Sequence, residues 1–223
     1  MKIRYTNNVF IDTAHSLMNE FKDDTSNTLI IVGAINPCSQ YEYGDYTRGY
    51  DRVILFNQDP LDCDLVNNNR DRYFDWLRRA DEVWDYEETN IQVLAAMGIP
   101  ASLHILKPYK NWNMYAPVEK DIDFLFTGTL YERRKTVLDF LKEKYNVVVT
   151  PDQTYGEALD SYILRSKVLL NIHGTTQFQE QARMVKWLGA PCKIISEKSV
   201  HNYLNVPEVN YWELFCLEEL YGN

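Results

Sequence analysis

Two stretches of the sequence combine residue types that can hold an anionic group. In Asp123–Lys135 (DFLFTGTLYERRK) an apolar run ends in Thr127-Gly128-Thr129, and Arg133, Arg134 and Lys135 follow a few residues later. A glycine after a strand lets backbone N–H groups approach a ligand, a helix N-terminus adds partial positive charge, and a guanidinium offers paired donors that match phosphate oxygens. In Val168–Arg183 (VLLNIHGTTQFQEQAR) a second apolar run carries Asn171 and His173 to its end, before Gly174-Thr175-Thr176 at an expected helix start. Each residue also has a plainer reading. The arginines can form a solvated first helical turn, a threonine can cap the helix, His173 can be a satisfied core histidine, and Glu180 can pair with Arg183 three residues on.

The elements that must position these groups follow from apolar periodicity. Short apolar runs at Lys2–Tyr5, Thr28–Val32, Arg52–Phe56, Glu82–Trp84 and Leu103–Leu106 predict strands, and Ala14–Phe21, Arg70–Arg79 and Glu88–Met97 predict the helices between them. Pro108–Lys120 (PYKNWNMYAPVEK) has no period and reads as an interdomain linker. The alternation then restarts: strands at Ile122–Phe126, Val147–Thr150, Val168–Ile172 and Lys193–Ser196, with helices at Arg133–Lys144, Gly156–Arg165 and Gln177–Leu188. Strands joined by helical crossovers give parallel sheets, so the fold class is α/β with two small Rossmann-like units. The expected boundaries are 1–110 and 119–200, followed by a C-terminal segment 201–223.

The composition of the 223 residues, 45% hydrophobic and 25% charged, is that of a globular protein. The longest strongly apolar stretch, Leu29–Ile35, is far short of the roughly 20 residues that span a bilayer, so no membrane span and a cytoplasmic location are expected, the host cytoplasm if the source is viral. Four scattered cysteines show neither a CxxC nor zinc-type spacing with histidine, and no metal is expected. Asp121-Ile122-Asp123 has the spacing of a metal-binding pair but lies before its strand. The net charge of −9 excludes a generally basic nucleic-acid-binding surface, although residues 133–198 carry 11 Lys/Arg against 7 Asp/Glu where residues 1–118 carry 11 against 17.

In order along the chain, DIDFLFTG (121–128), the Arg133-Arg134 pair, YGEALDSYILRSKVLLNIH (155–173), FQEQAR (178–183) and the IISE ending at Glu197 resemble the nucleotide-sugar-binding domain of GT-B glycosyltransferases, particularly short phage, viral and bacterial ones. RVILFNQDPL (52–61) and ADEVWDYEETNIQVLAAMGIPA (80–101) resemble, more weakly, the last strands of that family's acceptor-side domain, here trimmed. The resemblance implies a GT-B arrangement with a cleft between the units, a C-terminal helix around Trp212–Leu220 packing back on the first unit, and a donor diphosphate held by Gly128, Thr129, Arg133, Arg134, His173, Gly174, Thr175 and Thr176. It places Glu180 on the donor ribose, although the commoner family pattern has its glutamate at the position of Met184. The catalytic base then comes from the first domain, where Asp12, His15, Asp45 and Asp59 are the candidates; Asp59 is also a natural turn residue before Pro60.

The function so implied is metal-independent transfer of a sugar from a nucleotide diphosphate donor, expected to be uridine-linked, to an acceptor hydroxyl. The acceptor is a glycan, a small metabolite or a hydroxymethylated pyrimidine of phage DNA, and the donor is a substrate, so no cofactor is needed. The segment SQYEYGDYTRGY (39–50) supplies four tyrosines for acceptor recognition, or is simply a surface loop. The alternative is a non-catalytic nucleotide-sugar-binding or interaction module.

Overall fold

The computed structural model describes residues 1–5, 7–61, 64–151, 154–174 and 176–217. The chain divides into two compact units, Met1–Tyr109 and Lys110–Asn223. Among the described residues no helix is long and apolar enough to cross a membrane.

The first unit runs β1 (Lys2–Tyr5), α1 (Ile11–Glu20), β2 (Thr28–Val32), α2 (Ile35–Gln40), α3 (Tyr43–Thr47), β3 (Arg52–Asn57), α4 (Asp64–Asn68), α5 (Arg70–Arg79), β4 (Glu82–Asp85), α6 (Glu88–Ala96) and β5 (Ser102–Leu103). Its five strands are all parallel and pair in chain order, β1-β2-β3-β4-β5. β2 is buried at every residue, as a strand covered on both faces must be. Leu29, Ile31, Val53 and Leu55 meet Tyr73, Trp76 and Leu77 of α5 on one side. On the other, Phe56 and Trp84 join Phe21, which follows α1, and His104, which stacks on Trp84 at 4.3 Å. The tyrosine-rich segment is not one open loop: α2 and α3 occupy most of it, and Tyr43 sits edge-on against Trp76.

The second unit runs β6 (Ile122–Phe126), α7 (Glu132–Lys142), β7 (Val147–Val149), α8 (Glu157–Arg165), β8 (Ser166–Asn171), α9 (Gln181–Met184), β9 (Lys193–Glu197) and β10 (Glu208–Val209). Its strands are again all parallel, in the order β10-β9-β8-β6-β7. The chain therefore moves outward from β6 to β7, then crosses back to lay β8 on the other side of β6. Ile122–Phe126 pairs in parallel with Ser166–Asn171, as the two-unit reading requires.

Two expectations are corrected here. From Lys110 onward the supposed linker is part of the second unit: Trp112 is buried, its Nε1 donates to the Lys186 carbonyl at 2.9 Å, and Lys110 and Tyr115 both bond Asp160. The helix expected over Gln177–Leu188 shrinks to α9, because Gln179 bonds Asn202 and the Leu204 N–H, and the Val200 N–H bonds the Gln177 carbonyl. Those ties hold 177–180 in an irregular path. The C-terminal segment forms a 3-10 helix at Tyr211–Cys216 whose Leu214, with Leu217 beyond it, enters the second unit's own core, with Phe215 edge-on to Phe140 of α7. Residues 218–223, which include the end of the helix expected around Trp212–Leu220, lie outside the described ones.

Candidate functional site

In an open parallel sheet the crevice for a ligand lies at the carboxyl ends of the strands where their order reverses. In the second unit that reversal falls between β6 and β8, the two strands that carry the sequence candidates. Gly128, just past β6, has φ +133, a conformation that disfavours any side chain, and a Cβ there would lie 2.8 Å from an Arg183 guanidinium nitrogen. Across the reversal, His173 and Gly174 follow β8.

Arginines converge on this place from two elements. Arg134, near the start of α7, is only 3% exposed; its Nε donates to the Ile172 carbonyl at 2.8 Å, Nη1 to the Thr129 carbonyl at 2.9 Å and Nη2 to Glu180 at 2.5 Å. Arg183, from α9, reaches Asn171 at 3.1 Å and forms an ion pair with the same Glu180. Both guanidiniums lie near the Phe126 ring, each about 5.4 Å from its centre. Desolvation pulls Arg183 below the ordinary guanidinium range, and the Glu180 charge opposes that pull.

Arg133, adjacent in sequence, points elsewhere. It pairs through both terminal nitrogens with the buried carboxylate of Glu197 and packs over Tyr211 at 3.9 Å. Glu197 also accepts from the His173 backbone N–H at 3.0 Å. His173 Nε2 lies 3.0 Å from the Glu197 carbonyl, so its proton is on Nε2 and Nδ1 is a bare acceptor. That Nδ1 is buried with no hydrogen-bond partner among the described residues, and burial lowers the ring's affinity for a second proton.

The remaining candidates of this unit are scattered around the cluster. Thr129 is exposed and contributes its carbonyl, Gly174 packs against Tyr131, and Thr176 is half-buried in the irregular stretch ahead of α9. Thr175 lies outside the described residues. Thr176 does not cap a helix start, since α9 begins at Gln181 and Glu180 precedes it. Met184 is fully buried against Trp187 and Leu159, so the position where the commoner pattern has a glutamate belongs to the core.

The base candidates of the first unit are not brought together. Asp45 is exposed and paired with Arg48 at 2.6 Å, Asp12 is buried and accepts from the Tyr109 hydroxyl, and His15 is exposed 5.5 Å from the Tyr109 ring. Asp59 alone sits at a strand end on a built support. Asn57 Nδ2 and Asn90 Nδ2 both donate to its carbonyl, and its N–H bonds Asn57 Oδ1. Burial pushes its carboxyl up to about 6. The asparagines are in turn held by Asp85, which accepts from Asn57 at 2.7 Å, Asn90 at 3.1 Å and the Glu87 N–H at 2.9 Å. Desolvation raises Asp85 to about 7 despite those donors.

Sequence reasoning missed Asn57, Asp85 and Asn90, and it treated Arg183 only as a partner for Glu180. The signal was present: Asn57 and Asp85 each end an apolar strand, where a buried polar residue needs a reason. Among the described residues no group of three His, Cys, Asp or Glu side chains is placed to hold a metal ion.

No known protein-family profile matches the chain. It is similar to three proteins of Acanthamoeba polyphaga mimivirus. It is 27% identical to "Uncharacterized protein L140" over 86% of this chain and 67% of that one. It is 24% identical to "Uncharacterized protein L137" over 70% of this chain, and 30% identical to "Uncharacterized protein L138" over 41%. The matched parts are 21% and 11% of those two longer relatives.

Proposed function

We propose that the second unit binds a nucleotide diphosphate sugar, expected to be uridine-linked, and that the chain is a metal-independent glycosyltransferase of GT-B type acting on an acceptor hydroxyl. The observation that carries this reading is the pair of desolvated arginines, Arg134 and Arg183, at the strand-order reversal beside Gly128. Fixed guanidiniums in a poorly solvated crevice stabilise a departing diphosphate without a metal, because their charge is oriented before the reaction begins. Asp59 is the candidate base: its backbone is clamped, and a carboxyl near 6 is ionised at neutral pH yet basic enough to take a hydroxyl proton. A hydroxymethylated pyrimidine in DNA is kept as one acceptor class alongside glycans.

Calorimetry with uridine diphosphate tests the donor site. Replacing Arg134 and Arg183 together by alanine is expected to weaken binding by on the order of 2–4 kcal/mol, the scale of two lost charge-assisted contacts. Unchanged affinity in a folded double variant rejects the assignment. Slow hydrolysis of a panel of nucleotide sugars separates a transferase from a module that only binds: Asp59→Asn is expected to abolish turnover while leaving donor affinity intact.

A further inference from the structure

We propose that Glu180 is a displaceable internal counter-ion, occupying between Arg134 and Arg183 the place that a phosphate group of the ligand takes. The proposal rests on the anion-site reading above and adds how that site is regulated. One carboxylate spans two guanidiniums, with Oε1 on Arg134 and Oε2 on Arg183. A carboxylate and a phosphoryl group both present paired oxygens to such donors, so one can replace the other without moving the arginines.

The charge balance makes a resident anion necessary. Among the described residues the cluster holds Arg133, Arg134 and Arg183 against Glu180 and Glu197, and Glu197 is committed to Arg133 and the His173 N–H. With Glu180 withdrawn, two desolvated guanidiniums face each other without a carboxylate, a state that protein interiors avoid.

Glu180 is also the member free to move. Its side chain is 27% exposed where Arg134 is 4% and Arg183 16%. It stands outside α9 with φ −76 and ψ 70, and its side chain caps no helix N–H. A diphosphate entering the crevice takes the N–H donors, and the carboxylate swings toward solvent, where it becomes available to ribose hydroxyls of the same ligand. Affinity for the anion is then set by competition with an internal carboxylate, which keeps weak anions out.

The test is titration of the full chain with inorganic pyrophosphate, which has phosphates but no ribose. Glu180→Gln is expected to bind pyrophosphate on the order of tenfold tighter than the unsubstituted protein, the scale of one charge-assisted contact. Adding Arg183→Ala to that variant is expected to erase the gain. Glu180→Asp, one methylene too short to span both arginines, is expected to shift in the same direction by less and serves if the glutamine variant fails to fold. Equal or weaker pyrophosphate binding in a folded Glu180 variant, with the unsubstituted protein still binding, overturns the counter-ion and leaves the anion site standing. Failure of every form to bind pyrophosphate overturns both.

Discussion

Asp85 shows how a single buried carboxylate can tie stability to pH. Its carboxyl is raised to about 7 by burial, against an ordinary value of 3.8, so between those values the folded chain holds a proton that the unfolded chain has lost. The stability it contributes is complete below about pH 4 and is lost as pH rises through about 7. Asp85→Asn keeps the shape and removes the titration. Thermal melts of the two proteins should diverge in favour of the variant by on the order of 2–3 kcal/mol between pH 5 and pH 8, and parallel profiles would show that Asp85 does not titrate there. Gly128→Ala is a second residue-scale test. Its φ of +133 and the Arg183 nitrogen 2.8 Å from the new Cβ should cost about 1–3 kcal/mol in urea denaturation, with weaker diphosphate binding alongside. A variant as stable as the parent would mean that Arg183 moves aside freely.

Among the elements, the segment before β6 depends on one aspartate. Asp160 of α8 is nearly buried and receives Lys110 at 2.6 Å, Tyr115 at 2.9 Å and Lys186 at 2.8 Å, the last only 1% exposed. Two ammonium groups and one carboxylate make Asp160→Asn an expected loss of about 3–5 kcal/mol by urea denaturation, because a buried lysine is left without its counter-charge. A loss under 1 kcal/mol would place Lys186 in water instead. This clamp was not legible in the sequence, since the prolines and asparagines of 108–120 announce irregular backbone but not what it packs against. The regular elements were legible wherever apolar residues repeat: Ile122–Phe126 and Arg70–Arg79 have the expected limits. The stretch from Gln177 failed because its pattern is amphipathic while Gln179 spends its amide on Asn202 and Leu204, a tie between distant segments that no local window contains. The arginines were read as anion ligands from their position after a strand, yet only the fold separates Arg134, turned into the crevice, from Arg133, locked to Glu197.

For the whole molecule, burial forecasts where the backbone is hardest to open. β2 and β3 in the first unit, and β6 and β8 in the second, are central and almost wholly buried, whereas β1, β5, β7 and β10 are edges. Amide exchange should be slowest in those four central strands, and an edge strand protected as well as β3 would contradict the ordering. The two sheet orders also impose different histories on a chain that emerges from the ribosome one end first. In the first unit every strand finds its neighbour in the strand made just before it, so the sheet can grow by addition at one edge as synthesis proceeds. In the second unit β6 must keep its other edge open while β7 and α8 are made, until β8 arrives. The crevice that holds the arginines is therefore among the last features of the chain to close, and an exposed β6 edge during that wait is where a nascent chain is most open to mispairing.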